Sequence, residues 1–513
     1  HLIQNDDLRK YVVDRGVTIE SCVTSNIHTK AVSNFDDHPI RQFFDEGIVI
    51  VPCTDNRTVS DCTLSGEYDL IQEKYKFSVE NMVRMIDYGW KSTFLGVKKK
   101  RRLRAEMLKE IVTKLNKANI DVSSIINHPY YDDVGLDFKQ IISGESIPYW
   151  RLNHTNPPIT KELIKRLPKA DLNVRLGSGY NIEQLWKYYS SLPKDDRVYP
   201  LKSVEELKIA SYDVARDIME RVLQTKEQIE DAVDSVFSQA VSDGVTYVEI
   251  VLRPKAHTLR DLKEKDVLDI VESRVSKNNG SNKNCKAALV LYANPRLDDP
   301  TQFMDLSKVV VGCIQSGKSN IVGFGVYGEE ELDASNYKYF LSTFEYLKKH
   351  RVNVSIASGS HSSESIISAV HMGGGRRLSG AFKMHENPTL MNYLANHRIP
   401  VEIGPTAKYD KSTSKVQKHF SPIRLFIDNG VPIVICSFKS VLDDRSRVDV
   451  LQEVVDTCAL SIRELYELLG EGFKSNFQSH SERQVLHQKY LDSASNLLEK
   501  EGFQFYRKNT FFS

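Results

Sequence analysis

One stretch of this chain is written twice. What the two copies share constrains the fold, and where they part constrains the chemistry. Residues 37–57 read DHPIRQFFDEGIVIVPCTDNR, and residues 420–440 read FSPIRLFIDNGVPIVICSFKS. Both carry Pro-Ile-Arg-x-Phe, then Asp-x-Gly, then an apolar run closed by Cys53 or Cys436. The first part has the spacing of a short amphipathic helix, and the second has the continuous apolar character of a buried strand. The first copy continues into Thr54-Asp55-Asn56 and the second into Ser437-Phe438-Lys439. A carboxylate at the end of a buried strand is costly, and acids so placed usually serve metal binding or catalysis. Asp55 is such an acid, whereas the second copy puts a phenyl ring in its place. The pair predicts one catalytic barrel and one retired one.

At 513 residues the chain is too long for one ordinary domain, and its 41% hydrophobic content suffices for large cores. The formal net charge of +1 gives no global pull toward nucleic acid or membrane, and no apolar run approaches a membrane span. Seven cysteines without paired spacing read as buried thiols in a reducing compartment, which places the protein in the cytoplasm. The chain opens at His1 in mid-motif and reads as a fragment of a longer protein. Residues 1–115 alternate strand and helix, with helices over 78–94 and 102–115, but hold too few strands to close a barrel. Residues 116–162, rich in Asn, Pro, Asp and Tyr, read as a linker. Beyond it, short apolar runs at 171–176, 245–252, 287–293, 321–327, 352–357, 377–382, 400–404 and 431–437 predict buried strands. Helical patterns separate nearly all of them, the best at 205–242, 335–350 and 362–371. This alternation predicts an α/β fold, a complete (β/α)8 TIM barrel over 163–500, preceded by the last part of another over 1–115. Chemistry in such barrels sits at the C-terminal strand ends.

The residues at those ends resemble the adenosine deaminase family of zinc hydrolases. HLIQNDDL (1–8) is similar to the stretch after the family's Gly-His-Gly, Cys22-Val23-Thr24-Ser25-Asn26 to Cys-Pro-Thr-Ser-Asn, and Thr54-Asp55-Asn56 to Thr-Asp-Asp. Gly66-Glu67-Tyr68 fits the tail of that motif. The resemblance implies that Asp55 is a metal ligand and that Asn56 faces substrate. It continues over 160–500. LPKADLNVRLGSG (167–179) looks like the family's Leu-Pro-Lys-x-Glu-Leu-His-x-His segment, Glu249 with Arg253 and His257 fits its second strand, and VGFGVYGEE (322–330) fits its Ala-Gly-Asp-Glu segment. There the chemistry is missing: Asn173 and Arg175 stand at the two metal histidines. Ala357 stands at a third, Ser360 at the proton-shuttling Glu, Gly380 at the Gly-His-Gly base, and Phe438 and Lys439 at the final acid pair. A catalytic zinc needs three or four N, O or S ligands and an open position for water, so no zinc is expected in residues 163–500.

The plainer readings run alongside. Asp55 could merely cap the next helix, and Asn56 could be a turn residue. His28, His38 and His361 read as surface or loop histidines, and Lys98-Lys99-Lys100-Arg101-Arg102 as a solvated helix start rather than a nuclear signal or anion patch. Glycines 373–375 read as a loop, and Gly328 as a tight strand-end turn. Two functions follow from the resemblance. One is an enzyme, in which the intact first barrel deaminates adenosine or deoxyadenosine to inosine or deoxyinosine with zinc, this chain by itself being inactive. The other is a pseudoenzyme barrel acting as a regulatory, dimerisation or nucleoside-binding module. The implied partners are a purine nucleoside and a second barrel or a second copy of the chain, with no nucleic acid and no membrane.

Overall fold

The computed structural model describes residues 2–126 and 156–503, apart from 209, 211, 329–331, 333, 405–406, 411–414, 419–421 and 437–444. Two compact units divide the chain, one within residues 1–155 and the other within 156–505.

In the N-terminal unit, strands β1 (Thr18–Ser21) and β2 (Val49–Pro52) pair in parallel, with Thr18 opposite Val49. The helix from Ile40 to Asp45 feeds β2 through Gly47, whose φ of 86° turns the chain at no steric cost. Ile40, Phe43, Phe44, Ile48, Ile50, Ile71, Phe77 and Met85 form one buried cluster. Two further helices cover the strand pair, Leu64–Tyr75 capped by Thr63 and Val79–Ser92 capped by Ser78.

The C-terminal unit is a nearly closed (β/α)8 barrel. Its strands are β3 (Lys169–Arg175), β4 (Val245–Leu252), β5 (Lys286–Ala293), β6 (Ile321–Val326), β7 (Val354–Ser358), β8 (Arg377–Gly380), β9 (Val401–Ile403) and, after a small antiparallel hairpin β10 (Ala407–Asp410) and β11 (Lys415–Lys418), β12 (Ile433–Ile435). They pair in parallel in the order β3 to β9 and then β12, the regular consequence of right-handed βαβ crossovers. Among the described residues β12 and β3 share no strand ladder. The guanidinium of Arg447 spans that seam, donating from Nη2 to the carbonyls of Ala170 on β3 and Ile435 on β12. The helix Ile462–Ser475 packs on both strands, and Gly472 lets it approach so closely that a Cβ there would lie 3.2 Å from the Cβ of Ala170.

The two written copies fold alike. Helix Ile423–Asp428 leads through Gly430 (φ 74°) into β12, as Ile40–Asp45 leads into β2. Arg424 bonds Asp428 at 3.0 Å as Arg41 bonds Asp45 at 2.9 Å. Cys436 N–H reaches the carbonyl of Ile403 at 3.0 Å, and Cys53 N–H reaches that of Ser21 at 2.9 Å.

Several local expectations need correction. The pattern over 205–242 is not one helix. Thr225 opens a capping box with Gln228 and restarts the chain as Lys226–Ser242, after a helix that ends at Val222. His38 is buried rather than superficial: its Nε2 lies 3.0 Å from Asn26 Nδ2, and its Nδ1 accepts from Ile40 N–H. Of the cysteines, Cys285, Cys436 and Cys458 are buried, and the other four are half-buried. The basic run lies inside a helix, Val97–Lys117, that begins earlier than its apolar period suggests.

Candidate functional site

Within the barrel, the strands turn a layer of charge inward. Glu249 on β4, Arg377 on β8 and Glu402 on β9 are all fully buried. Arg377 Nη2 donates to Glu249 Oε2 at 2.6 Å, and its Nε meets Glu402 Oε1 in an ion pair. Its Nη1 donates to the carbonyl of Ser475 at 3.0 Å, and its plane lies 3.9 Å from the ring centre of Phe477. Glu249 Oε1 accepts from Phe477 N–H at 2.7 Å and from the Tyr247 hydroxyl at 3.2 Å. Two carboxylates share one guanidinium, so burial raises the Glu402 pKa against the pull of Arg377. Glu402 Oε2 is met by Asn173 Nδ2 at 2.7 Å, and Ser355 Oγ lies 3.4 Å from its Oε1.

The strand ends carry the positions named above. β7 and β8 pair with Ala357 opposite Ser379 and Ser358 opposite Gly380. A Cβ on Gly380 would lie 3.4 Å from Ser360 Oγ, so Ser360 and Gly380 are neighbours. Asn173 Nδ2 lies 3.3 Å from Ser379 Oγ, which brings the end of β3 to the same place. Arg175 Nη1 donates to the Tyr292 hydroxyl at 3.0 Å, and that hydroxyl donates in turn to Glu220 at 3.1 Å. Tyr292, Tyr327, Val251 and Val290 form a buried cluster against which Ala357 packs. Tyr292 and Tyr327 meet edge to face at 5.5 Å. Gly325 makes room for this pair, since a Cβ there would lie 2.5 Å from Tyr327 Cε2 and 2.8 Å from Tyr292 Cβ. The structure therefore gathers Asn173, Arg175, Ala357, Ser360 and Gly380 at one end of the barrel. Phe438 and Lys439 lie outside the described residues.

The described lining of this lumen does not fit zinc. Asn173 spends its amide N–H groups on Glu402 and Ser379, Arg175 is a cation held by Tyr292, and Ala357 has no donor atom. Among the described residues no three His, Cys, Asp or Glu side chains are placed to hold a metal ion. His361 lies exposed in a loop. His257 is buried with Nδ1 3.0 Å from the carbonyl of Leu223, and burial lowers its pKa. Arg253, beside it, is locked bidentately on Asp298 at 2.9 and 2.6 Å.

In the N-terminal unit, Asp55 is exposed, so it bears none of the burial cost expected of it from the sequence; it is left-handed, with φ 52° and Ser25 Oγ donating to its Oδ2 at 2.9 Å. The next helix, Arg57–Ser60, is capped by Asn56, whose Oδ1 accepts from Val59 N–H at 3.1 Å. Asn56 therefore does the capping work and leaves the Asp55 carboxylate to the strand end. Close by, Glu67 is buried and accepts from Thr24 N–H at 3.3 Å. The Cys22 thiol is pushed up to about 11 by burial and by Cys53, so it is protonated at neutral pH.

Sequence reasoning did not single out Tyr292, Tyr327, Arg377 or Glu402. The signal for Glu402 was available, an acid inside the apolar run Val401–Ile403. The tyrosines carried no such mark, because an aromatic at a strand end is ordinary core material.

The adenosine deaminase family model matches residues 1–110 and 184–492, which is most of the chain. The chain belongs to the adenosine deaminase family. A probable adenosine deaminase of Dictyostelium discoideum is 34% identical over 97% of this chain and 68% of its own length. Among solved structures, an amidohydrolase of Burkholderia ambifaria with bound zinc superposes at a TM-score of 0.57, with 12% identity over 68% of this chain and 97% of that one. The N6-methyl-AMP deaminase of Arabidopsis thaliana superposes at 0.55, with 18% identity over 66% and 99%. At such identities these two structures bear on the fold alone. No described helix is long and apolar enough to cross a membrane.

Proposed function

We propose that this family member is a tandem protein, in which the barrel of residues 163–500 is non-catalytic and residues 1–115 belong to a deaminase barrel completed by strands that this chain does not contribute. The linker would be 116–162. The reaction of the completed barrel is hydrolytic deamination of adenosine or deoxyadenosine, and this chain alone is inactive. The observation that carries the reading is the state of the C-terminal lumen. Its strand ends offer an amide, a guanidinium and a methyl group where a metal would need donors, and two tyrosines fill the space beside them. Asn173, Arg175, Ala357, Ser360, Gly380, Phe438 and Lys439 are then vacated positions. In the N-terminal unit the Asp55 carboxylate stands at the strand end, uncommitted to helix capping and held by Ser25 Oγ. That supports Asp55 as a zinc ligand, with Asn56 near substrate.

The filled lumen also favours a structural or regulatory role for the second barrel over nucleoside binding. A compact barrel free of catalytic constraints can serve as a stabilising partner or a dimerisation surface. Zinc content and adenosine turnover, measured on this chain and on one extended at its N-terminus, test both halves. Zinc and turnover confined to the extended protein are expected. Stoichiometric zinc or turnover in residues 1–513 alone would overturn the assignment of vacated positions.

A further inference from the structure

The neutral overall charge hides a steep local imbalance in the N-terminal unit. Residues 91–117 carry ten Lys and Arg against two Glu. Helices Val79–Ser92 and Val97–Lys117 pack together and are joined by only four residues, so they form a hairpin whose tip is the turn at 93–96. Lys91 lies just before that tip and Lys98 to Arg102 just after it. The N-terminal end of a helix is its positive end, where cations cost stability and acids are favoured. Here the first turn holds no acid, and Gly96 supplies no side-chain cap. Arg104 is neutralised by buried Asp87 at 2.6 Å, and Arg102 leans toward Glu106 at 3.6 Å. Lys99 and Arg101 are exposed and form no ion pair among the described residues. Burial and the neighbouring charges of Arg104 and Lys91 lower the Lys100 pKa, while its Nζ holds the carbonyl of Lys91 at 3.2 Å. On the turn just before these cations stands Phe94, 106% exposed.

We propose that the hairpin tip, Phe94 with the cations of residues 99–102, is a docking surface for the anionic headgroups of a phospholipid membrane. Two features break local rules together, a cation cluster at a helix's positive end and a large aromatic in water. One kind of partner satisfies both, because a lipid surface takes an apolar side chain into its interface and cations at headgroup level. Single-stranded nucleic acid also combines charge with an aromatic platform, but it needs a groove that tracks the backbone. Four consecutive helical residues, set about 100° apart, ring the helix end instead of lining a groove. A flat surface approached tip-first meets that ring and Phe94 at once. The inference is independent of the deaminase reading.

The test uses the whole chain in vesicle co-sedimentation, with phosphatidylcholine vesicles containing about one-third phosphatidylserine against phosphatidylcholine alone. Anionic vesicles should bind at least about tenfold better, and the preference should fade at high salt. The variant K99E/R101E/R102E should lose about a hundredfold and F94A about tenfold. Acids at those positions favour the helix, so the triple variant should keep its circular dichroism and separate loss of binding from loss of fold. Equal binding to both vesicles, no binding to either, an unaffected triple variant, or binding to a single-stranded oligonucleotide in place of vesicles would each overturn the proposal.

Discussion

At the scale of single residues, the C-terminal lumen is held by exchanges of volume and charge. Tyr327 is buried beside residue 325, and a methyl group on Gly325 would collide with the Tyr327 ring and with Tyr292 Cβ. Gly325→Ala should therefore destabilise the protein by about 1–3 kcal/mol through overpacking. Tyr327→Ala should cost about 3–5 kcal/mol through the cavity it leaves. In the double variant the clash with the Tyr327 ring is gone and only that with Tyr292 Cβ remains, so its cost should fall below the sum by about 1 kcal/mol. Urea unfolding of the four proteins reads this directly, and strict additivity would show that Tyr327 does not fill the lumen. The Arg377 layer behaves differently. A fully buried ion pair is weak evidence for stability, but removing one partner strands a charge. That asymmetry accounts for a guanidinium kept where no chemistry is assigned to it.

Among the elements, the repeated helix–strand unit and the barrel seam carry the most information. The two copies keep their glycine turn, their Arg–Asp pair and the backbone bond after the strand, although their following residues diverge. Backbone geometry is thus set by the shared skeleton, and the strand-end side chains were free to change. At the seam the usual ladder is replaced by one side chain. Arg447 bonds carbonyls on β3 and β12, its backbone N–H donates to Asp243 at 2.9 Å, and its Nη1 lies 3.7 Å from Asp171. Arg447→Met would remove the donor shared by two buried carbonyls and the cation that faces Asp171, while the backbone bond to Asp243 would stay. The expected loss is about 2–5 kcal/mol. Hydrogen exchange should quicken in 169–175 and 433–435 before the rest of the barrel. Unchanged exchange in those strands would mean that the seam is held by the helix Ile462–Ser475 alone.

For the molecule as a whole, pH should act through two histidines of the C-terminal unit, His257 buried and His487 half-buried. His487 is brought down to about 3 by burial and by Lys474, against the pull of Glu471. His257 is lowered by burial, between Glu220 and Arg253. Both folded values lie below the unfolded value of about 6.5, so the unfolded chain takes up protons first as pH falls. Their stability contribution is present above about pH 6.5 and is lost progressively below it. Glu402 works the other way, since its raised pKa favours the folded state near the ordinary carboxylate range. Denaturant midpoints should therefore fall from pH 7.5 to 5, and His487→Gln should flatten part of that slope. A variant slope identical to that of the parent protein would remove His487 from the account.

The sequence alone determined the elements and their order. Eight apolar runs separated by helices specify a barrel, because each strand needs both faces covered and each helix needs a sheet to bury its stripe. The strand-end motifs also carried the family, and they named the positions that meet where β3, β7 and β8 end. Only the tertiary structure decided what fills those positions. Arg175 and Tyr292, like Asn173 and Glu402, lie more than a hundred residues apart, and nothing local marks them as partners. The break before Thr225 and the burial of His38 were likewise invisible to periodicity, which registers apolar spacing but not a capping box or a neighbouring ring. Element type is written in a window of a few residues. The contents of a barrel lumen are written in all of its strands at once, and they exist only after the sheet has curled.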